Sequence, residues 1–248
     1  TLMMLTAGIA LCVGAITILA MMLAAKLAEG AGLPGVAAIG VGVLVGTAAG
    51  LVNGLLVTRL KLPPFIVTLG TLSIFTAIGL LYSRGRSVQS VDLPGILNWT
   101  GESFAVGRFR ITYGVVLVAV LYLVVGFALA NTAWGRHVYA VGDDREASRL
   151  AGIRVDRVLV SVYTAAGAIY GLTAWILIGR AGAASPNAIT DANLESITAV
   201  VIGGTSLFGG RGALLGTLLG ALIVGFFRSG LSLAGVDDQY RVLAVGLL

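Results

Sequence analysis

Ten of the 28 charged or histidine residues in this chain fall within NTAWGRHVYAVGDDREASRLAGIRVDRV, 131 to 158, the densest polar segment of the sequence. Asp143 stands three residues before Glu146, the spacing of a capping box, and Gly152 suits the position just past a helix end, so a short helix is predicted near 144 to 151. Along it Ala147, Leu150 and Ala151 share one face, while Arg145 and Arg149 line another, one turn apart. Gly142 and Gly152 would shape the turns, and Asp144 would add charge at the entry. A capped helix with an apolar edge and a charged edge suits docking into a groove on another protein; the plainer alternative is a solvated surface helix.

Other chemistry is sparse. The only lysines are Lys26 and Lys61, and no Gly-x-x-x-x-Gly-Lys-Ser/Thr run exists to cradle nucleotide phosphates. Cys12 is the single cysteine and His137 the single histidine, which disfavours disulfides and metal centres alike. The net charge of +5 is scattered singly between apolar runs, without aromatic interleaving, so nucleic acid is not an expected partner. A few polar side chains lie on or beside apolar stretches: Asn53, Thr68, Thr71, Asn193 and Glu195.

The elements that must hold these residues are apolar. Hydrophobic residues make up 58% of the chain and charged ones 11%, against about 25% charged in a soluble domain. Uncharged stretches at 1 to 25, 30 to 58, 62 to 83, 111 to 135 and 158 to 179 each reach the roughly 20 residues that span hydrocarbon. Two shorter stretches follow, 196 to 210 and 212 to 227, and glycine pairs at 203–204 and 209–210 predict a broken or re-entrant element in the first. A last apolar run begins near Val242. No alternating ten-residue pattern of a barrel is present, so strands are not expected and the fold is read as an all-α polytopic bundle, one membrane domain over 1–248. Gly42, Gly46, Gly50 and Gly54 form one four-residue stripe and Gly212, Gly216 and Gly220 a second; both are expected to pack helix backbones closely. GGTSLFGGRG at 203 to 212 reads as packing at a helix break, with a hinge as the alternative. Trp99, Trp134 and Trp175 are expected near the bilayer interfaces. Orientation stays open. If 131–157 is cytoplasmic and helices alternate, eight basic residues fall on each side.

GRHVYAVGDDREASRLAGIRVDRV resembles the coupling-helix segment of permeases from the ribose, xylose, arabinose and fructose ABC importers. NGLLVTRLKLPPFIVTLGTLSI at 53 to 74 and NLESITAVVIGGTSLFGGRGALLGTLLGALIVGFFRSGLSLAGV at 193 to 236 are similar to further blocks of that family, in its order. The resemblance implies a transport subunit and not an enzyme, in a multi-pass fold of the bacterial inner membrane, with the 131–157 loop in the cytoplasm. It also implies helix beyond Thr1 and beyond Leu248. The implied partners are a second permease copy or close relative, a cytoplasmic ATPase chain that binds ATP and Mg, and an extracytoplasmic sugar-binding protein. No cofactor is expected on this chain. Gly142, Asp143, Asp144, Arg145, Glu146, Arg149, Leu150 and Gly152 would then form the coupling surface, and Asn53, Thr68, Thr71, Asn193 and Glu195 are candidates for the path of a pentose or hexose. One departure stands out: where the family commonly reads Gly-Ile-Asp-Leu-Ser-Val-Gly, this chain has Gly8-Ile9-Ala10-Leu11-Cys12-Val13-Gly14. Two other functions are weighed against this one. An ion-coupled secondary transporter should show inverted repeats and an acidic relay, and a non-transporting scaffold would use the same loop without carrying a substrate.

Overall fold

A computed structural model describes residues 1–107, 109–189, 192–237 and 240. The helices in chain order are α1 (Leu2–Leu5), α2 (Val13–Ala31), α3 (Gly35–Arg59), α4 (Pro64–Ser83), α5 (Gly95–Asn98), α6 (Tyr113–Asn131), α7 (Ala133–Asp143), α8 (Arg145–Leu150), α9 (Val155–Ala181), α10 (Ala192–Ile202) and α11 (Leu214–Leu233). Six of these, α2, α3, α4, α6, α9 and α11, are long and apolar enough to cross a membrane, which makes the chain an all-α multi-pass protein. The apolar run expected from Val242 lies outside the described residues.

Helix α2 is the axis of the bundle. Apart from the Lys26–Glu29 pair near its end it is almost wholly apolar, as the most buried of the six long helices should be, and Ile16, Ala20, Met21, Met22 and Ala25 are buried among α3, α4 and α9. Pro34 and Pro63 immediately precede α3 and α4, and Pro64 takes the first position of α4, where a missing N–H costs nothing. The two helices that expose most apolar surface are α6 and α11.

Three expectations are corrected by the fold. The stretch 1 to 25 is not one span: α1 ends at Leu5, residues 6–12 are non-helical, and α2 starts at Val13. Hydropathy cannot see this break, because Gly8 and Ala7 are as apolar as their helical neighbours; the signal lies in backbone geometry, with Ala7 at φ 55°. Strands also occur, outside the spans. β1 (Val88–Gln89) pairs antiparallel with β4 (Ala183–Ala184), and β2 (Ser103–Val106) pairs with β3 (Phe109–Thr112) in the register Phe104 to Ile111. Only β2 and β3 form a hairpin, β1 and β4 being far apart in the chain, and all four are too short for a criterion that tests for barrel-length strands. Finally, 131–157 is more ordered than a loop with one helix, since α7 fills its first half.

The glycine break is as expected. α10 stops at Ile202, the chain turns through 203–213, and α11 begins at Leu214. Gly212 therefore precedes the helix instead of sharing its face, and packs against Thr205.

Candidate functional site

Helix α8 projects from the bundle between α7 and α9. Its N-cap is Asp144 and not Asp143: the Asp144 carboxylate accepts from the backbone N–H of Glu146 at 2.8 Å and of Ala147 at 3.0 Å, while Asp143 closes α7. The capping box predicted from Asp143 and Glu146 does not form: α7 runs through Asp143, the cap falls on Asp144, and Ala147 then stands where the box needs a glutamate. Gly152 follows the helix at φ 83°, a left-handed conformation glycine adopts without strain. Glu146, Ala147, Arg149, Leu150 and Ala151 are exposed, and Leu150 is 87% exposed. Arg149 makes a long ion pair, 3.5 Å, with Asp156. Arg145 differs from the others. Its guanidinium turns inward and donates to the Thr6 carbonyl at 3.0 Å.

The base of α8 is tightly built. Any side chain at Gly142 would drive into the Leu5 carbonyl, and Gly209 and Gly210 of the glycine turn pack against Gly142 and Asp143. Tyr139 on α7 donates to the Gly212 carbonyl at 3.0 Å; burial pushes its phenol up, which keeps the proton on the donor. Residues 5–7, the α7–α8 junction and the glycine turn thus meet at one place.

Beside this junction a cavity of about 430 Å³, within the range of small-molecule sites, opens between α6, α9 and α10. Its walls are mainly apolar, with Thr1, Tyr122, Tyr170, Thr173, Arg180 and Ser196 as the polar exceptions, and Ala10 is among the lining residues. The residues at 170, 173, 177 and 180 recur on one face of α9, so a single helical stripe supplies one wall. This stripe was missed in the sequence because its spacing is indistinguishable from that of any packed helix.

The five polar residues singled out from sequence do not line the cavity. Asn53 is buried and its Nδ2 donates to Cys12 Sγ at 3.2 Å. Thr68 is buried and donates to the Ile9 carbonyl at 3.0 Å, and Thr71 back-bonds to Val67 at 3.0 Å within its own helix. Asn193 Oδ1 accepts from the Gly14 N–H at 2.9 Å, tying the start of α10 to the start of α2. Glu195 pairs with Arg228, joining α10 to α11.

Both glycine stripes serve packing inside this chain. Gly42, Gly46, Gly50 and Gly54 lie against Gly171, Gly167, Tyr163 and Val160 of α9, where a side chain at Gly46 or Gly50 would enter a backbone carbonyl of the facing helix. Gly216 and Gly220 do the same against Gly203 and Ala199. The partner stripe, Gly167 and Gly171, has the same four-residue spacing, and only the fold shows that it faces α3.

The chain matches, over residues 1–248, the family described as the permease component of branched-chain amino acid transport systems. It is 50% identical over 251 residues to the fructose import permease protein of Rhizobium meliloti, covering all of this chain and 70% of that protein. It is 37% identical to the ribose import permease protein of Bacillus subtilis, covering 100% of this chain and 76% of that one. To the D-allose transport system permease protein of Escherichia coli it is 36% identical, covering 98% of this chain and 73% of that protein. No solved structure matches it. With a full-length family match, whole-chain identity to sugar import permeases and six membrane-length helices, this chain belongs to the permease family of monosaccharide ABC importers, as a transport subunit of the bacterial inner membrane and not an enzyme.

Proposed function

We propose that this chain forms, with a second copy or a close relative, the membrane path of an importer that carries a pentose or hexose inward, and that fructose is the first cargo to test. A cytoplasmic ATPase subunit binds the ATP and Mg and docks on α8, no cofactor resides on this chain, and an extracytoplasmic sugar-binding protein delivers the cargo. ATP-driven closure of the ATPase subunits displaces α8 and switches the bundle between its two openings, a rigid-body change across packed interfaces. The sugar passes along the cavity, where Thr173, Ser196 and Tyr122 offer hydroxyls on apolar walls. Asn53, Thr68 and Asn193 hold neighbouring segments in place, Thr71 bonds within its own helix, and Glu195 fixes α10 to α11.

The observation that carries this reading is α8 itself: a capped helix outside the spans whose Leu150 is 87% exposed. The test reconstitutes the permease with an ATPase subunit and a sugar-binding protein of the same importer type, and measures ATP-dependent uptake of fructose, ribose and leucine. Uptake of a sugar, abolished in Leu150→Arg while membrane insertion is unchanged, is the expected result. Normal uptake in Leu150→Arg would remove α8 from the coupling surface, and uptake of leucine alone would overturn the cargo class.

A further inference from the structure

The non-helical residues between α1 and α2 are held from several sides at once. Arg145 donates to the Thr6 carbonyl at 3.0 Å. The Gly210 N–H donates to the Leu5 carbonyl at 3.0 Å, and Gly209 packs on Ala7. From α4, Thr68 donates to the Ile9 carbonyl at 3.0 Å, and the Tyr163 hydroxyl of α9 lies beside Gly8. Ala7 sits at φ 55°, a left-handed conformation that is costly for a residue with a side chain and persists only where its surroundings impose it. Asn53 and Tyr163, next to this segment, each keep a buried polar atom without a partner among the described residues. A shift here has hydrogen bonds to gain.

Arg145 is the only side chain of α8 that makes a hydrogen bond into this break among the described residues. The break in turn reaches the cavity. Leu2, Met3, Met4 and Ala10 line it on either side of residues 5–9, and the Gly210 to Leu5 bond joins the break to the turn that follows α10, whose Ser196 and Val200 also line it. We propose that Arg145 is a positioning residue that transmits displacement of α8 to the α1–α2 break through the Thr6 carbonyl, and so reshapes the cavity when α8 is pushed. The inference rests on the docking of an ATPase subunit at α8. An arginine suits the task because it stays charged and its guanidinium donates one N–H to the Thr6 carbonyl, a charge-assisted bond that a lysine ammonium can partly replace.

The test uses the full complex in vesicles, with Arg145→Ala, Arg145→Gln and Arg145→Lys, and reads three quantities: ATPase subunit retained on purification, ATP hydrolysis, and sugar moved per ATP. In Arg145→Ala and Arg145→Gln the subunit is retained and hydrolysis stays within about twofold, while sugar per ATP falls about tenfold, a size ordinary for coupling between sites. Arg145→Lys, which keeps a charged donor, recovers a substantial part of the ratio. If Arg145→Ala does not insert, the Gln and Lys variants decide. A wild-type ratio in Arg145→Gln, or a ratio no better in Arg145→Lys than in Arg145→Gln, overturns the inference. Failure of the wild-type permease to retain any ATPase subunit would instead sink the docking reading beneath it.

Discussion

Individual side chains here divide sharply between those that face outward and those that hold the chain together. Asp144 does the second, accepting two backbone N–H groups at the start of α8. Asp144→Ala should cost that helix about 0.5–2 kcal/mol, the usual worth of an N-cap, and should speed amide exchange at Glu146 and Ala147; Asp143→Ala should leave both unchanged. Equal effects from the two variants would return the cap to Asp143. The sequence located this helix within a residue but chose the wrong aspartate, since two adjacent acids satisfy the same spacing and only the end of α7 decides between them. Arg145 and Arg149 likewise read as one charged edge, yet Arg149 meets Asp156 at the surface and Arg145 meets a backbone carbonyl inside. Charge alone does not tell a docking contact from an internal tether.

At the scale of elements, close approach of α3 and α9 is the main structural device. The stripe was readable on α3 as a four-residue repeat, because glycine in a lipid-facing helix has little use except proximity. Its partner on α9 required knowing which helix lies opposite. Gly167→Ala forces its new methyl toward the Gly46 carbonyl and should destabilise the permease by about 1–3 kcal/mol or more, as overpacking does. Gly40→Ala, on the same α3 but with open space beside it, should be neutral or slightly stabilising. Thermal unfolding of the two variants in detergent checks the contrast, and equal midpoints would mean that α3 and α9 do not touch as described. The broken segment after α10 was also legible, from paired glycines inside an apolar run. The break before α2 was not, since no residue type marks it and its geometry is imposed by Arg145, Gly210 and Thr68 from distant parts of the chain.

For the molecule as a whole, the balanced count of basic residues left orientation undecided, and the bundle now gives a direct way to measure it. Helix α9 has 27 residues, about 40 Å at 1.5 Å per residue, with α8 at its start and β4, paired to β1, at its end. Trp134 bonds Ser161 near the first end, while Trp175 stacks with Trp99 near the second, as two interfacial belts would require. In a Cys12→Ala background, a cysteine at Leu150 should react with a membrane-impermeant thiol reagent only in inside-out vesicles and one at Phe104 only in right-side-out ones; the reverse pattern would put α8 outside the cell. What the sequence determined by itself is the all-helical membrane class, the glycine packing and the presence of a capped polar helix, because each depends on local composition and spacing. Its family, too, is written in contiguous blocks. Only the tertiary structure decided where the cavity lies, that Asn53 and Thr68 are internal braces, and that Arg145 reaches the break at Thr6. Those facts depend on which segments become neighbours in space, since the contacts behind them join residues 41, 59 and 139 positions apart.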